Sequence, residues 1–312
     1  TRLTNNIKIK HPICSTNMDT VTEFRMMKTM YESGSAGFLH RFLEHQEIID
    51  IIKQAYAENF NPIVVSVGVK PQDYTLVDKL LEGDKSPHVI LIDIAHGDSE
   101  AVDNMIKYIK HNSDIDVIAG NVATAEAAER MCKLKVNAIR VGIGGSTVCT
   151  TRIVTGHGMP TLQSIIDCYE VTKKYDIPII ADGGFKTSGD IVKALAFGAE
   201  SVSLGTLLAA TSDSPGVKIN DGGEQKKKMY GMASKEAQTI HRNGLKNGTA
   251  PEGISITLPY KGDTIDTVNE LLGGIRSGLT YSGATSILEM REKAEYVFLS
   301  TGGINESKLT GN

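Results

Sequence analysis

Eight short apolar runs, each followed by a stretch of helical or loop character, recur along the chain up to residue 205. They fall near Pro12–Thr16, Ala36–His40, Pro62–Val67, His88–Asp93, Asp116–Gly120, Asn137–Val141, Pro178–Asp182 and Ser201–Gly205. Between them, Thr22–Ser33, Gln46–Asn59, Ser99–Asn112, Thr124–Lys133, Leu162–Lys174 and Thr187–Phe197 space their apolar residues as amphipathic helices do. Ser99 and Thr124 stand where N-caps belong, and Gly198 where a C-cap belongs. Runs such as PIIAD and VILID are apolar throughout instead of alternating, which suits parallel strands buried on both faces. Eight β-then-α units without a break predict a closed (β/α)8 barrel, an α/β fold, over an open doubly wound sheet.

In such a barrel the carboxyl ends of all strands lie on one face. Here those ends carry His40-Arg41, Asp93, Gly120-Asn121, Gly142 to Cys149, Asp182-Gly183-Gly184 and Gly205-Thr206. The glycine pairs after the seventh and eighth strands match the place where barrels hold phosphate on bare backbone N–H groups. Asp182 is a poor phosphate partner but suits ribose hydroxyls, so the pattern reads as a nucleotide site. Cys149 closes a glycine-rich loop among hydroxyls, where a thiol can serve as a covalent nucleophile. Cys14, Cys132 and Cys168 lie within strand or helix patterns and read as small buried groups. Neither a phosphate-binding Gly-Lys-Ser/Thr loop nor a dinucleotide glycine fingerprint is present.

Composition closes off other classes. The 312 residues carry 33 basic and 37 acidic side chains, a balance too even for a nucleic-acid stripe or a polybasic membrane patch. No apolar run reaches the roughly 18 residues of a membrane span, and no signal peptide opens the sequence. Four cysteines form neither a disulfide framework nor a zinc spacing, which points to the cytoplasm. Residue 1 is Thr rather than Met, as if an opening segment had been removed or left out. After the eighth strand the pattern breaks. Residues 213–263, rich in Gly, Lys, Asn and Ser, read as a long mobile flap, followed by helices near Thr264–Arg276 and Ala284–Glu292 and a short tail. The whole of 1–312 is expected to form one barrel domain.

Several segments carry a specific likeness: Asn17-Met18-Asp19-Thr20-Val21, Ala119-Gly120-Asn121-Val122, Gly142 to Arg152, Ala181 to Gly184, Gly205 to Ala209, Tyr230-Gly231-Met232 and Gly273 to Arg276. Together they resemble the IMP dehydrogenase/GMP reductase family, colinearly over nearly the whole chain, and the family's fold is a (β/α)8 barrel. The family's opening segment is largely missing. Dehydrogenases usually insert a pair of regulatory CBS modules after the second strand, whereas here Arg41 runs straight into the Glu44–Asn59 helix. Dehydrogenases also carry a long flap with an Arg-Tyr pair that activates water. Only sixteen residues separate Ser234 from Pro251, and His241-Arg242 is the nearest substitute. The short flap, Asn17, Thr155-Gly156 and Thr280-Tyr281 resemble the reductase branch; Thr22-Glu23 and Thr301 to Ser307 look more like a dehydrogenase.

The resemblance implies an NADPH-dependent reductive deamination of GMP to IMP and ammonia through a thioimidate at purine C2, with NADH as a possible substitute. Its alternative is a compact dehydrogenase oxidising IMP to XMP with NAD, and a third reading is a non-catalytic nucleotide-binding protein. Carried over residue by residue, Cys149 is the nucleophile, and Thr151 and Glu252 handle the leaving group's proton. Asp182 binds the ribose hydroxyls; Gly183 lets backbone approach the substrate closely; Thr147, Gly184, Gly205, Thr206 and Tyr230 hold the phosphate; Met232 and Ala233 meet the purine; Asp93 and Asn121 face the nicotinamide. A monovalent cation, K+, is implied on the carbonyls of Gly144, Ser146 and Cys149, with Ser146 standing where a second glycine is usual and a Ser resists positive φ. Arg41 stands where the family usually has Lys, which suits ion pairing better than proton transfer. A homotetramer is expected, with no nucleic-acid or membrane partner.

Overall fold

The computed structural model describes residues 1–242, 244–245 and 247–306, the side chain of Arg242 excepted. Eight parallel strands, β1 (Ile13–Ser15), β2 (Ala36–Leu39), β3 (Val64–Val67), β4 (Val89–Asp93), β5 (Asp116–Val122), β6 (Ala138–Val141), β7 (Ile179–Asp182) and β8 (Ala199–Leu204), pair in sequence order. β8 pairs back onto β1, Val202 opposite Ile13, and closes the barrel. The helices are α1 (Phe24–Glu32), α2 (His45–Ala57), α3 (Pro71–Glu82), α4 (Glu100–Asn112), α5 (Ala125–Lys133), α6 (Thr151–Val154), α7 (Thr161–Thr172), α8 (Ser188–Ala196) and α9 (Thr206–Ala209).

Successive residues of one strand enter two different cores. Val64, Val89 and Ile180 belong to a cluster inside the barrel with Cys14, Phe38, Leu91 and Ile118. Their neighbours Val65, Ile90 and Ile179 belong to the larger cluster between strands and helices. Both faces exclude water, so apolar residues dominate these runs, and burying each such side chain contributes about 1.5–3 kcal/mol. Leu3, Ile7 and Ile9 pack onto the inner cluster from the N-terminal segment and close that end of the barrel.

The helix signals sort unevenly. Thr124 caps α5, its Oγ1 accepting from the Ala127 N–H at 3.3 Å. Ser99 occupies the N-cap of α4 in extended geometry but makes no side-chain cap bond. Phe197 is the C-cap of α8, and Gly198 follows it at φ +124°. The sequence reading assigned no helix between the third and fourth strands, yet α3 lies there, opened by Pro71 at its first turn, where a missing N–H is harmless.

The described residues of the expected flap, 213–263, include regular elements. β9 (Lys218–Asp221), β10 (Glu224–Tyr230), α10 (Lys235–Arg242) and β11 (Ser255–Pro259) form an antiparallel sheet, in the order β11-β10-β9, with one helix. Gly222 and Gly223, at φ +61° and +93°, make the two-residue turn that joins β9 to β10. Beyond it run α11 (Thr264–Tyr281), longer than expected, then α12 (Ile287–Lys293) and α13 (Thr301–Glu306); the rest of the expected tail lies outside the described residues. No described helix is long and apolar enough to cross a membrane.

Candidate active site

A cavity of about 480 Å3 opens at the carboxyl ends of the strands. Its floor is a buried ion-pair network. Arg140 projects from β6, its side chain only 6% exposed, with Nη1 3.0 Å from Asp93 Oδ1 and Nη2 3.2 Å from Asp182 Oδ2. Nη2 also donates to Thr16 Oγ1 at 2.8 Å. Burial by itself would lower the Arg140 pKa, but Asp182 and then Asp93 more than offset it, and the guanidinium is held firmly charged. Asn121 Nδ2 donates to Asp182 Oδ2 and to the Gly142 carbonyl, both at 2.7 Å. Asp182 Oδ2 thus takes two donors, whereas its Oδ1 has none among the described residues. Arg41 Nε stands 3.4 Å from Asp93 Oδ2, an ion pair at the place where the resemblance leads one to expect Lys.

The glycines of the mouth are sterically required. Gly142 has φ +140°, and a Cβ there would sit 2.0 Å from the Asp182 carbonyl oxygen. Gly183 has φ +84°, a conformation that L side chains avoid. Removing either side chain lets the loops after β6 and β7 pass one another above the floor.

Cys149 lies at the end of the β6 loop and is half-buried. Its Sγ donates to Thr151 Oγ1 at 3.2 Å, and Thr151 Oγ1 donates to Glu252 Oε2 at 2.9 Å. The loop is laced to the flap: Cys149 bridges Gly253 in antiparallel fashion, Thr150 N–H donates to the Glu252 carbonyl, and Ile254 N–H donates to the Val148 carbonyl. Glu252 N–H donates in turn to the Ala233 carbonyl at 3.0 Å, so three distant segments meet around the thiol. The other cysteines sit differently. Burial pushes the thiols of Cys14 and Cys168 up to about 12 and that of Cys132 up to about 11, so none offers thiolate near neutral pH.

The cavity wall includes Cys149, Thr151, Glu252, Thr147, Asp182, Gly183, Gly184, Gly205, Thr206, Met232, Ala233, Asp93, Asn121, Gly144 and Ser146. Tyr230 is not on it; its hydroxyl donates to Asp19 Oδ2 at 2.7 Å. The wall also holds residues the sequence reading passed over, Arg140, Thr16, Lys70 and Asp73 among them. Arg140 had a signal: one charge inside the run Asn137–Val141, which is buried on both faces, demands partners. The side chains of Asp93 and Asn121 are fixed by Arg140, Arg41, Gly142 and Asp182. The implied cation fits less well. Ser146 keeps an ordinary negative φ, and its carbonyl gives one of its two lone pairs to the Cys149 N–H at 3.1 Å.

Comparison with known proteins agrees with this geometry. A family model described as "IMP dehydrogenase / GMP reductase domain" matches residues 1–309. An inosine-5'-monophosphate dehydrogenase from Nitrosopumilus maritimus is 40% identical over 258 residues, 79% of this chain and 54% of that protein. A GMP reductase from Leishmania donovani is 35% identical over 320 residues, 96% of this chain and 65% of that protein. This chain therefore spans between half and two-thirds of the length of these relatives. Among solved structures, a C318A GMP reductase from Trypanosoma brucei in complex with guanosine 5'-monophosphate superposes with a TM-score of 0.89 at 26% identity, covering 100% of this chain and 93% of that one. With its closed eight-stranded barrel and a match running over residues 1–309, the chain belongs to the IMP dehydrogenase/GMP reductase family.

Proposed function

We propose that the protein is a GMP reductase, converting GMP, with a reduced nicotinamide nucleotide, to IMP and ammonia. The observation that carries this reading is the hydrogen-bonded series Cys149–Thr151–Glu252 at the mouth of the barrel. The Cys149 sulfur attacks C2 of the guanine ring. The C2–N bond then breaks, and the 2-amino group leaves as ammonia once it has gained a proton. An amine leaves poorly without that proton, so an acid must stand beside the reacting carbon. Thr151 stands one hydrogen bond and Glu252 two from the sulfur, so in this reading the thiol's proton passes through Thr151 to Glu252 and from there to the leaving amine. Reduced nicotinamide supplies the hydride that replaces the amine at C2, after which the carbon–sulfur bond breaks and the thiolate is restored.

The remaining wall residues bind and orient. Asp182 Oδ1, free of protein donors among the described residues, accepts from ribose hydroxyls while Arg140 and Asn121 fix its other oxygen. Gly184, Gly205 and Thr206 offer backbone to the phosphate, and Met232 and Ala233 cover the purine. Asp93 and Asn121 orient the nicotinamide; NADPH is the expected form.

A second reading has its own support. A dehydrogenase from Aquifex aeolicus is 46% identical over 228 residues, 71% of this chain and 46% of that protein, above the value for the Leishmania donovani reductase. Against it, the short flap lacks an Arg-Tyr pair, and His241, the nearest described substitute, is not on the cavity wall. Nicotinamide absorbance separates the two. Loss of reduced cofactor with GMP, together with ammonia release, is the expected result. Formation of reduced cofactor with IMP and NAD would overturn the reductase reading in favour of the dehydrogenase.

A further inference from the structure

Two flap side chains end on one barrel carboxylate. The Tyr230 hydroxyl, at the end of β10, donates to Asp19 Oδ2 at 2.7 Å, and His241 Nε2, on α10, donates to the same oxygen at 2.5 Å. Asp19 lies in the turn after β1, its side chain 8% exposed, and its Oδ1 is buried without a partner among the described residues. Among the described residues, its side-chain hydrogen bonds therefore all go to the flap. The His241 ring also packs on Phe42, with 4.9 Å between centroids. Phe42 in turn lines the cavity and lies under the Arg41 guanidinium, 4.6 Å from the ring centroid, and Arg41 pairs with Asp93.

We propose that Asp19 is a positioning residue that latches the flap onto the barrel mouth through Tyr230 and His241, and that Phe42 and Arg41 carry the flap's position to Asp93. The chain order explains what the latch holds. Tyr230 immediately precedes Gly231, Met232 and Ala233, and α10 lies between Ala233 and Glu252, which are themselves hydrogen-bonded. Fixing both ends of this stretch on Asp19 sets Met232, Ala233 and Glu252 against the cavity. Arginine at position 41 suits the relay: a planar guanidinium stacks on Phe42 while its Nε faces Asp93. A lysine ammonium is a point charge that serves the ring or the carboxylate less fully. His241 is spent on this contact instead of on the cavity, which it does not line.

Amide hydrogen exchange on the intact protein tests the latch without assuming any substrate. Asp19→Ala and His241→Ala are expected to speed exchange across residues 229–240 by roughly ten-fold, while His241→Gln, which keeps a donor, restores most of the protection. Arg41→Lys is expected to leave flap exchange unchanged. The kinetic arm rests on the reductase reading: His241→Ala lowers kcat, Arg41→Lys raises cofactor KM, and the double variant departs from additivity by about three-fold or more. Unchanged flap exchange in both alanine variants overturns the latch, as does a general loss of protection not confined to the flap. An additive double variant overturns the relay to Asp93. If the wild type turns over neither GMP nor IMP, the reductase reading fails while the exchange arm still decides the latch.

Discussion

The two ends of the barrel are built from opposite materials. At the N-terminal end, Leu3, Ile7 and Ile9 pack on Phe38, Val64 and Val89, and the opening is filled with apolar groups. At the carboxyl end, the corresponding space holds Arg140, Asp93 and Asp182, topped by loops whose glycines let backbone pass within a side chain's width. The closed end contributes stability, and the open end gives up part of it to hold charge and empty volume. Mutations should therefore separate cleanly by end, with one designed exception.

The largest separation is expected at the mouth. Cys149→Ala should lower turnover by at least about 1,000-fold while thermal stability and nucleotide binding stay near wild type, because the half-buried thiol packs little and the chemistry needs its sulfur. Steady-state kinetics alongside calorimetric titration check this; turnover within ten-fold of wild type would refute covalent catalysis. Arg140→Met is the exception that should break the comparison. Removing the cation shared by these two half-buried carboxylates is expected to cost about 3 kcal/mol in stability and also to abolish turnover, since Asp182 loses its ion pair and Asp93 keeps only Arg41. Denaturant unfolding and activity measured on the same sample read both effects.

At the other end, Leu3→Ala should destabilise the protein by about 2–5 kcal/mol with KM and kcat unchanged in the folded fraction. A change in kinetic constants would show that the ends communicate. The smallest effect concerns Glu200, near the start of β8. Burial alone would raise its pKa, but Arg291 and then Arg2 outweigh it, and the carboxyl titrates below its usual range. A folded-state value below the unfolded one gives stability that is present above the unfolded pKa and lost as pH falls through the folded one. Glu200→Gln should accordingly flatten the acid limb of the unfolding profile without shifting the pH profile of turnover.

The barrel was legible in the sequence because each strand faces two dry cores, so runs such as Val89–Asp93 and Ile179–Asp182 admit few polar residues. The strand ends were legible for the complementary reason, as polar residues and glycines concentrate only there. The flap was not. Two of its strands, KIND and EQKKKMY, are lysine-rich and carry one β-branched and one aromatic residue between them, Ile219 and Tyr230, too few to mark a sheet. Gly222-Gly223 forms the hairpin turn, but without flanking apolar alternation a glycine pair does not mark one in the sequence. The contact of Thr151 with Glu252 joins residues about a hundred positions apart, a pairing that no local pattern encodes and that only the family resemblance suggested. His241 was noticed as a substitute for an absent Arg-Tyr pair, whereas its partners Asp19 and Phe42 come from the first two barrel loops.

The bridge between Cys149 and Gly253 also bears on the order of assembly. The last strand of the barrel ends at Leu204, so a growing chain can close its sheet some fifty residues before the segment that laces the nucleophile's loop exists. A chain cut short between those points would carry all eight strands and the thiol yet lack Glu252, the backbone partners of Val148 and Thr150, and α11, whose Val268, Leu271, Leu272 and Ile275 belong to the outer core. On the reductase reading, that chain would hold the nucleophile without the carboxyl that supplies the proton, so the segment after Leu204 completes the site as well as the core.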